Sequence, residues 1–426
     1  MNLIKNLIYF FLVLSHVNLF VISDDYPSSR WQQTASLVNN KLYYFGGIGE
    51  INYNSVNEVW YLDLSSPFNV SMPPWHKDQG LPPIIYASSC VSPIDNSVFL
   101  IGGIRPSITN TDYVFYPSEV YEFYPNTSYW NFLNITGYNS SFNTRYAIEA
   151  VVDNDGKIFI FGGTNSNISN YSNTTVIRYN DMHMFDTTTM KWSTLNIFQN
   201  VPLPCNNYAA VLLPTAEIIY IGGLELPRLG PLRLVDMKTI RLFNTKAFTW
   251  STKQITGASI DSRGGHTAVI TQNGSIIIYG GVTINSTQVS PDLAVLNINT
   301  WEWSIPKISQ INAPQPLALH SATIYKNYMI ISFGWSILKG SSSSFIYILD
   351  IRSYTWVTTT AINNLGPFEP TPTPTNAGIP SSSTPTLIIV VTSVAGIFLI
   401  GSAIAGMFIY KKRQERRQYI ATPGSK

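Results

Sequence analysis

The 426 residues include only 12% charged side chains, and 26 Lys and Arg nearly balance 24 Asp and Glu, for a formal net charge of +2. No basic domain stands out, so nucleic acid is excluded as an expected partner. An aromatic content of 13% suits β-structure better than a helical bundle, and two cysteines cannot staple so long a chain.

The first segment, MNLIKNLIYFFLVLSHVNLFVIS, sets Lys5 before an apolar run, with Val21 and Ser23 placed as the small-residue positions of a cut before Asp24. Residues 1–23 read as a secretory signal peptide. An uncleaved anchor fits less well, because small polar residues follow at once.

Residues 24–362 repeat. KLYYFGG, SVFLIGG, KIFIFGG, EIIYIGG and SIIIYGG each close an apolar run on a glycine pair: Gly46-Gly47, Gly102-Gly103, Gly162-Gly163, Gly222-Gly223 and Gly280-Gly281. A sixth copy, IISFGW, takes Gly334 as its first glycine and puts Trp335 in place of the second. The spacings of 56, 60, 60, 58 and 54 residues mark a repeat architecture. Each copy then reaches a Trp, namely Trp75, Trp130, Trp192, Trp250, Trp303 and Trp356. Small residues (Ala35, Cys90, Ala150, Ala210, Ala268, Ala322) precede the glycines, and Arg30, Arg145 and Arg263 come five residues ahead of three of these.

Each copy therefore reads as four strands. Strand a begins near Arg-x-x-x-x-Ala, strand b ends at Gly-Gly, strand c is of the VWYLDL type, and strand d holds the Trp. Short runs rich in Ile, Phe and Tyr are strands buried on both faces, and DNDG and TQNG are hairpin signals. The glycine pair serves a tight turn against an adjacent blade. No phosphate loop follows from it, since no GxxxxGKS/T occurs.

Further along, 363–386 is rich in Pro, Thr and Ser and reads as an extended, O-glycosylated stalk. Residues 387–410 are uncharged, about 36 Å as a helix, which suffices to cross a bilayer. KKRQERR opens the basic tail 411–426, so the expected topology is single-pass type I in the plasma membrane, with the N-terminal part outside. Gly401-x-x-x-Ala405 and Ser402-x-x-x-Gly406 would let two such helices pack as a homodimer. Sequons at Asn69, Asn126, Asn134, Asn139, Asn167, Asn170, Asn173, Asn273 and Asn285 are candidate glycosylation sites, all between the two apolar segments. Cys90 and Cys205 are expected as buried, unpaired thiols.

The diglycine, the strand-d Trp and the Arg-x-x-His ahead of strand a, best seen in Arg263-Gly-Gly-His266-Thr-Ala268, resemble the kelch repeat. The resemblance covers about residues 30–360 and implies an all-β, six-bladed propeller with one C-terminal transmembrane helix. Every copy is complete from a to d, so no strand is left over to close the ring; residues 24–29 are expected to contribute.

Galactose oxidase is a kelch propeller whose copper is held by two Tyr and two His, one Tyr cross-linked to Cys. Here His266 and His320 share one repeat position in adjacent blades and are the sole metal-like pair, although the same position also serves inter-blade hydrogen bonding. No GxSxG, HExxH or paired carboxylates appear. The expectation is a non-enzyme without cofactor, a copper oxidase being the alternative.

In a propeller the b–c and d–a connections share one face. The b–c segments starting at 104, 164 and 224 are long and unlike one another, as recognition loops are. Arg30, Arg145 and Arg263 open on that face, and Arg105, Arg228 and Arg233 lie in its loops. Two roles are open to the repeat arginines: bracing a neighbouring blade, or gripping the carboxylates of a ligand or acidic glycan. The resulting expectation is a cell-surface binding or adhesion protein, with a protein or glycan as partner.

Overall fold

The computed structural model describes residues 26–360 apart from 51–54, 81–82, 110–111, 118–119, 139–141, 143–144 and 169–173. The expected signal peptide, stalk, apolar span and tail lie outside the described residues, as do Asn139, Asn170 and Asn173. Among the described residues no helix is long and apolar enough to cross a membrane.

Six sheets follow one another along the chain, each with four antiparallel strands in the order a-b-c-d; that of blade 5 gains Thr256–Gly257 as a fifth strand, parallel to its strand d. Blade 1 is Thr34–Val38, Lys41–Phe45, Val59–Asp63 and Trp75–Asp78; blade 2 is Ser88–Val91, Val98–Ile101, Tyr121–Tyr124 and Tyr129–Phe132. Blade 3 is Ala150–Val152, Lys157–Phe161, Met182–Asp186 and Lys191–Leu195; blade 4 is Ala209–Leu212, Glu217–Ile221, Thr239–Asn244 and Thr249–Gln254. Blade 5 is Thr267–Ile270, Ser275–Tyr279, Leu293–Asn297 and Glu302–Ser304; blade 6 is Ser321–Tyr325, Tyr328–Ser332, Ile346–Asp350 and Thr355–Val357. Strand a of each blade touches strand a of the next, and that of blade 6 touches that of blade 1.

The core is not one body but a set of apolar seams, one between each pair of neighbours. Tyr43, Val59, Val98 and Phe123 join blades 1 and 2, and Phe99, Ile158 and Trp192 join blades 2 and 3. Ile219, Ile240, Ile276, Leu296 and Trp303 join blades 4 and 5. Strand b supplies both seams of its blade at once, which is why Ile276, Ile277 and Ile278 are all fully buried. Each such side chain contributes roughly 1.5–3 kcal/mol. All six repeat tryptophans lie in strand d, and two reach back one blade, Trp303 Nε1 donating to the Met237 carbonyl at 2.8 Å and Trp130 Nε1 to that of Gln79 at 3.3 Å.

The register corrects two sequence assignments. In blade 6 the first-glycine position is taken by Phe333 (φ 60°), and Gly334 (φ 98°) holds the second, so the alignment slips by one. The second glycine is retained because a Cβ there would stand 2.6 Å from Cβ of His320. In blade 2 the small-residue position belongs to Ser89, paired with Leu100, and Cys90 follows it opposite Phe99. A longer a–b turn, from Val91 to Val98, absorbs the difference.

Backbone bonds and an insertion close the ring. The second glycine of each blade donates its N–H to the chain entering the next blade: Gly47 to Ile84, Gly103 to Arg145, Gly163 to Cys205, Gly223 to Arg263, Gly281 to Leu317 and finally Gly334 to Arg30 at 2.9 Å. A second circuit nearer the axis is completed by Gln32 N–H to the Leu319 carbonyl at 3.0 Å. On the outer side, the insertion between Asp63 and Trp75 supplies Phe68–Val70, which exchanges backbone bonds with Thr358 and Thr360. Of the N-terminal residues expected to help, Ser29 accepts from Ser342 Oγ at 3.1 Å, yet Arg30 carries the main link.

Candidate functional site

The b–c connections do not run as open loops. They turn back as hairpins, the longest being Ile104–Thr109 with Asp112–Pro117 in blade 2 and Thr164–Ile168 with Thr174–Arg178 in blade 3. The incoming d–a segment pairs with each of them, Ile85 with Ile104, Tyr146 with Thr164 and Cys205 with Glu225 among others. The result is a crown of small sheets standing on one face of the ring. Its outer parts present apolar side chains to solvent: Ile177 in blade 3, Leu229 (93% exposed) in blade 4, Ile284 in blade 5 and Leu338 (67%) in blade 6.

The repeat arginines lie beneath this crown, not on it. Arg30, Arg145 and Arg263 are fully buried. Each clasps the end of the b–c hairpin of its own blade. Arg30 pairs with Glu58 at 2.9 Å, and Arg145 engages Asp181 with two nitrogens and the Gly162 carbonyl at 3.1 Å. Arg263 donates to Gly280 and Pro291 carbonyls at 3.1 and 2.8 Å. Burial lowers the Arg263 pKa to about 10, against the opposing pull of Asp261 and Asp292. Of the two roles left open for these three positions, their burial and contacts serve bracing, of their own blade rather than a neighbour, and they do not open on the face as ligand-gripping groups. Arg105 is half-buried in the blade 2 hairpin, Arg228 is exposed, and Arg233 is exposed but holds the buried Glu225 at 2.8 Å together with Arg241.

Around the axis, residues at the start of strand a in blades 1, 2, 3, 5 and 6, with Asn207 and Tyr208 just ahead of strand a in blade 4, line a cavity of about 190 Å³. The column just before the small residue holds Thr34, Ser88, Glu149, Ala209, Thr267 and Ser321 by strand register. All of these side chains but Ala209 tie their blade to the next. Ser89 N–H donates to Thr34 Oγ1 at 3.0 Å, Ala150 N–H to Ser88 Oγ at 2.9 Å, and Ala210 N–H to Glu149 Oε2 at 2.7 Å. Thr267 Oγ1 meets His320 Nε2 at 2.9 Å, and Gln33 Nε2 donates to Ser321 Oγ at 3.3 Å. Ala209 breaks the belt between blades 4 and 5. Burial pushes the Glu149 carboxyl up to about 7, the Ala210 amide offsetting part of the effect. Sequence reading missed Glu149 and Gln33; a column alignment of the six copies would have shown Glu149 as the one carboxylate among small and hydroxyl residues.

His266 and His320 both line this cavity. Each ring lies over the first glycine of the preceding blade: a Cβ on Gly222 or Gly280 would stand 2.7 Å from Cε1 of His266 or His320. Burial holds both neutral, His320 at about 3. Among the described residues no group of three or more His, Cys, Asp or Glu could hold a metal. Cys90, buried with its Sγ donating to the Ala150 carbonyl at 3.2 Å, is packed away from any cross-link. Two Tyr and two His, namely Tyr86, Tyr208, His266 and His320, do line the one cavity, but neither cysteine does, so the residues present do not fit the galactose oxidase copper set in full. His183 serves structure too, with Nδ1 accepting from Trp192 Nε1 at 3.1 Å and Nε2 facing Asp181 at 3.0 Å. The five sequon asparagines whose side chains are described, Asn69, Asn126, Asn134, Asn273 and Asn285, are all exposed; Asn167 lies in the blade 3 hairpin.

Six blades, a glycine-built ring and a hairpin crown around an axial cavity define a kelch-repeat β-propeller. The chain belongs to the KLHDC2/KLHL20/DRC7 Kelch-repeats domain family, which matches residues 2–223 and 231–372. It is similar to Host cell factor homolog hcf-1 of Caenorhabditis elegans, 31% identical over 42% of this chain and 24% of that one. Acyl-CoA-binding domain-containing protein 4 of Arabidopsis thaliana is 24% identical over 68% of this chain and 40% of its own length. Kelch domain-containing protein 1 of Homo sapiens is 23% identical over 75% and 77%. The chain thus spans less than half the length of the first two relatives. Among solved structures, that titled "Structure of YjhT" superposes with a TM-score of 0.59 at 16% identity, covering 79% of this chain and 99% of that one, a likeness of fold alone.

Proposed function

We propose that the chain is a non-enzymatic binding protein of the cell surface, presenting the hairpin crown to a protein partner, with residues 387–410 as its membrane anchor and the propeller outside. The observation that carries the protein-binding reading is the crown itself. Arginine clasps hold its hairpins, and its outer parts expose Ile177, Leu229, Ile284 and Leu338 on four successive blades, as a rigid scaffold with apolar contact points would. The membrane reading rests on the apolar run 387–410 and the basic residues behind it.

The test uses the full chain in nanodiscs, with binding to intact cells read by flow cytometry. Leu229→Asp with Leu338→Asp is expected to abolish binding, while Ile94→Asp, in the a–b turn on the opposite face and 63% exposed, leaves it intact. The reverse pattern would place recognition on the wrong face for this proposal. Binding that survives protease treatment of the cells but not glycosidase treatment would assign a glycan in place of a protein. An epitope after Lys426 should be shielded from external protease if the anchor is as proposed.

A further inference from the structure

Among the described residues the wall of the axial cavity contains no Lys or Arg. Of its titratable groups, His266 and His320 are held neutral by burial, and burial pushes Tyr86 up to about 12 and Tyr208 higher still. Glu149 is left as the one wall group that can carry charge near neutrality. The groups facing its carboxylate are Cys90 from strand a of blade 2 and Tyr208 and Tyr220 from blade 4, all kept protonated by burial. No cation stands opposite among the described residues. One carboxylate oxygen accepts from Ala210, and the other has no hydrogen-bond partner among the described residues.

A second observation points the same way. Gln33 and His266 are more than nine-tenths buried, and both line the cavity. The Gln33 Oε1 and both ring nitrogens of His266 have no partner among the described residues. A neutral imidazole offers one lone pair and one N–H, and a primary amide offers two lone pairs on its oxygen and two N–H donors. Buried polar atoms left unmatched are costly, so a cavity that gathers them is shaped for something that supplies the missing half. Gln32, 5% exposed and on the same wall, leaves both its Oε1 and its Nε2 unpartnered among the described residues, so donors and acceptors are both unmatched, and what the wall lacks is a positive charge to face Glu149. At the rim the Tyr86 ring lies 5.2 Å from that of Tyr146, and an aromatic face also favours a cation.

We propose that the axial cavity binds a primary ammonium group, with Glu149 as its counter-ion and Gln33 and His266 among its hydrogen-bond acceptors. Three N–H donors on a compact charge suit Glu149, the Gln33 Oε1 and the lone pair of His266, whereas an anion would meet the carboxylate and no cation among the described residues. The ammonium can belong to a small alkylamine or to a lysine side chain of a protein seated on the crown. The first source requires no protein partner, so the site stands or falls independently of the crown.

Calorimetric titration of the full chain with n-butylammonium chloride, Nα-acetyl-lysine methylamide and n-butanol, at pH 8 and pH 6, decides the matter. Saturable amine binding is expected to be about tenfold weaker at pH 6, as a carboxylate titrating near 7 passes from mostly ionised to mostly protonated. Glu149→Gln, which keeps an oxygen for the Ala210 amide, should weaken it at least about tenfold and remove the pH dependence. Binding of the lysine derivative assigns a partner's side chain as the source, and binding of n-butylammonium alone assigns a small amine; either supports the site. Absence of saturable amine binding, equal binding of n-butanol, or indifference to Glu149→Gln overturns it. Should the variant not fold, the wild-type comparison of amine with alcohol still decides.

Discussion

Ala209→Ser should stabilise this propeller. Position 209 is where the polar belt around the axis is interrupted, and the consequence falls on His266. Its counterpart His320 is satisfied at Nε2 by Thr267 of the preceding blade at 2.9 Å; His266 would look for the same partner at residue 209 and finds a methyl group. Both its ring nitrogens are left without a partner among the described residues, in a residue only 5% exposed. The two rings occupy equivalent places, since Gly222 and Gly280 stand in the same relation to their Cε1 atoms. An unsatisfied buried polar atom costs about 1–3 kcal/mol, and a typical new bond recovers about 1 kcal/mol net. One added oxygen is the smallest change that supplies it, and Thr34, Ser88, Thr267 and Ser321 show that the column accepts hydroxyls. The expected gain is therefore about 1 kcal/mol, read as a higher urea midpoint at unchanged m-value. A double-mutant cycle makes the test specific: in a His266→Ala background the gain should vanish. A gain that persists without His266, or none with it, refutes the account of the belt.

Phe333→Gly should destabilise despite restoring the repeat consensus. It relieves about 1 kcal/mol of left-handed backbone strain but removes a ring that is fully buried and stands 5.1 Å from Tyr44 and 5.8 Å from Trp75 across the closing seam. A net loss of about 2–4 kcal/mol follows, checked by denaturant unfolding. Arg145→Lys should cost about 2–4 kcal/mol, because an ammonium cannot replace the two-nitrogen grip on Asp181 or the stacking at 3.6 Å over Tyr179. Burial alone would raise the Asp181 pKa, but His183 and Arg145 bring it down to about 2. Stability from this group is complete above about pH 4 and lost as pH falls toward 2; thermal melts from pH 5 to 2 should show a shallower loss in the variant. Glu149 has the opposite sign. Its folded pKa of about 7 lies above the unfolded value, so the native state binds the extra proton and stability declines as pH rises from about 4.5 to 7. Glu149→Gln should remove that decline, measured as the difference between wild-type and variant melting temperatures across the range.

The repeat, its period and the strand order within each copy were written in the sequence, because each blade must bury strand b on both sides and must turn on glycine against its neighbour. The diglycines and the strand-d tryptophans are local requirements repeated six times, and a local requirement leaves a local mark. Register could not be read as surely. Phe333 in a glycine position and Ser89 in place of Cys90 follow from one-residue differences that only strand pairing fixes. The arginines show the limit most clearly. Their spacing from strand a was plain, but whether a guanidinium faces a ligand or a carboxylate thirty residues away depends on where the hairpin ends at Glu58 and Asp181 come to rest. Closure likewise joins Arg30 to Gly334 and Phe68 to Thr360, contacts between the two ends of the ring that no local pattern encodes. The axial cavity belongs to the same class: Gln33, Glu149 and His266 come from three separate copies, and only the circle brings them to one wall.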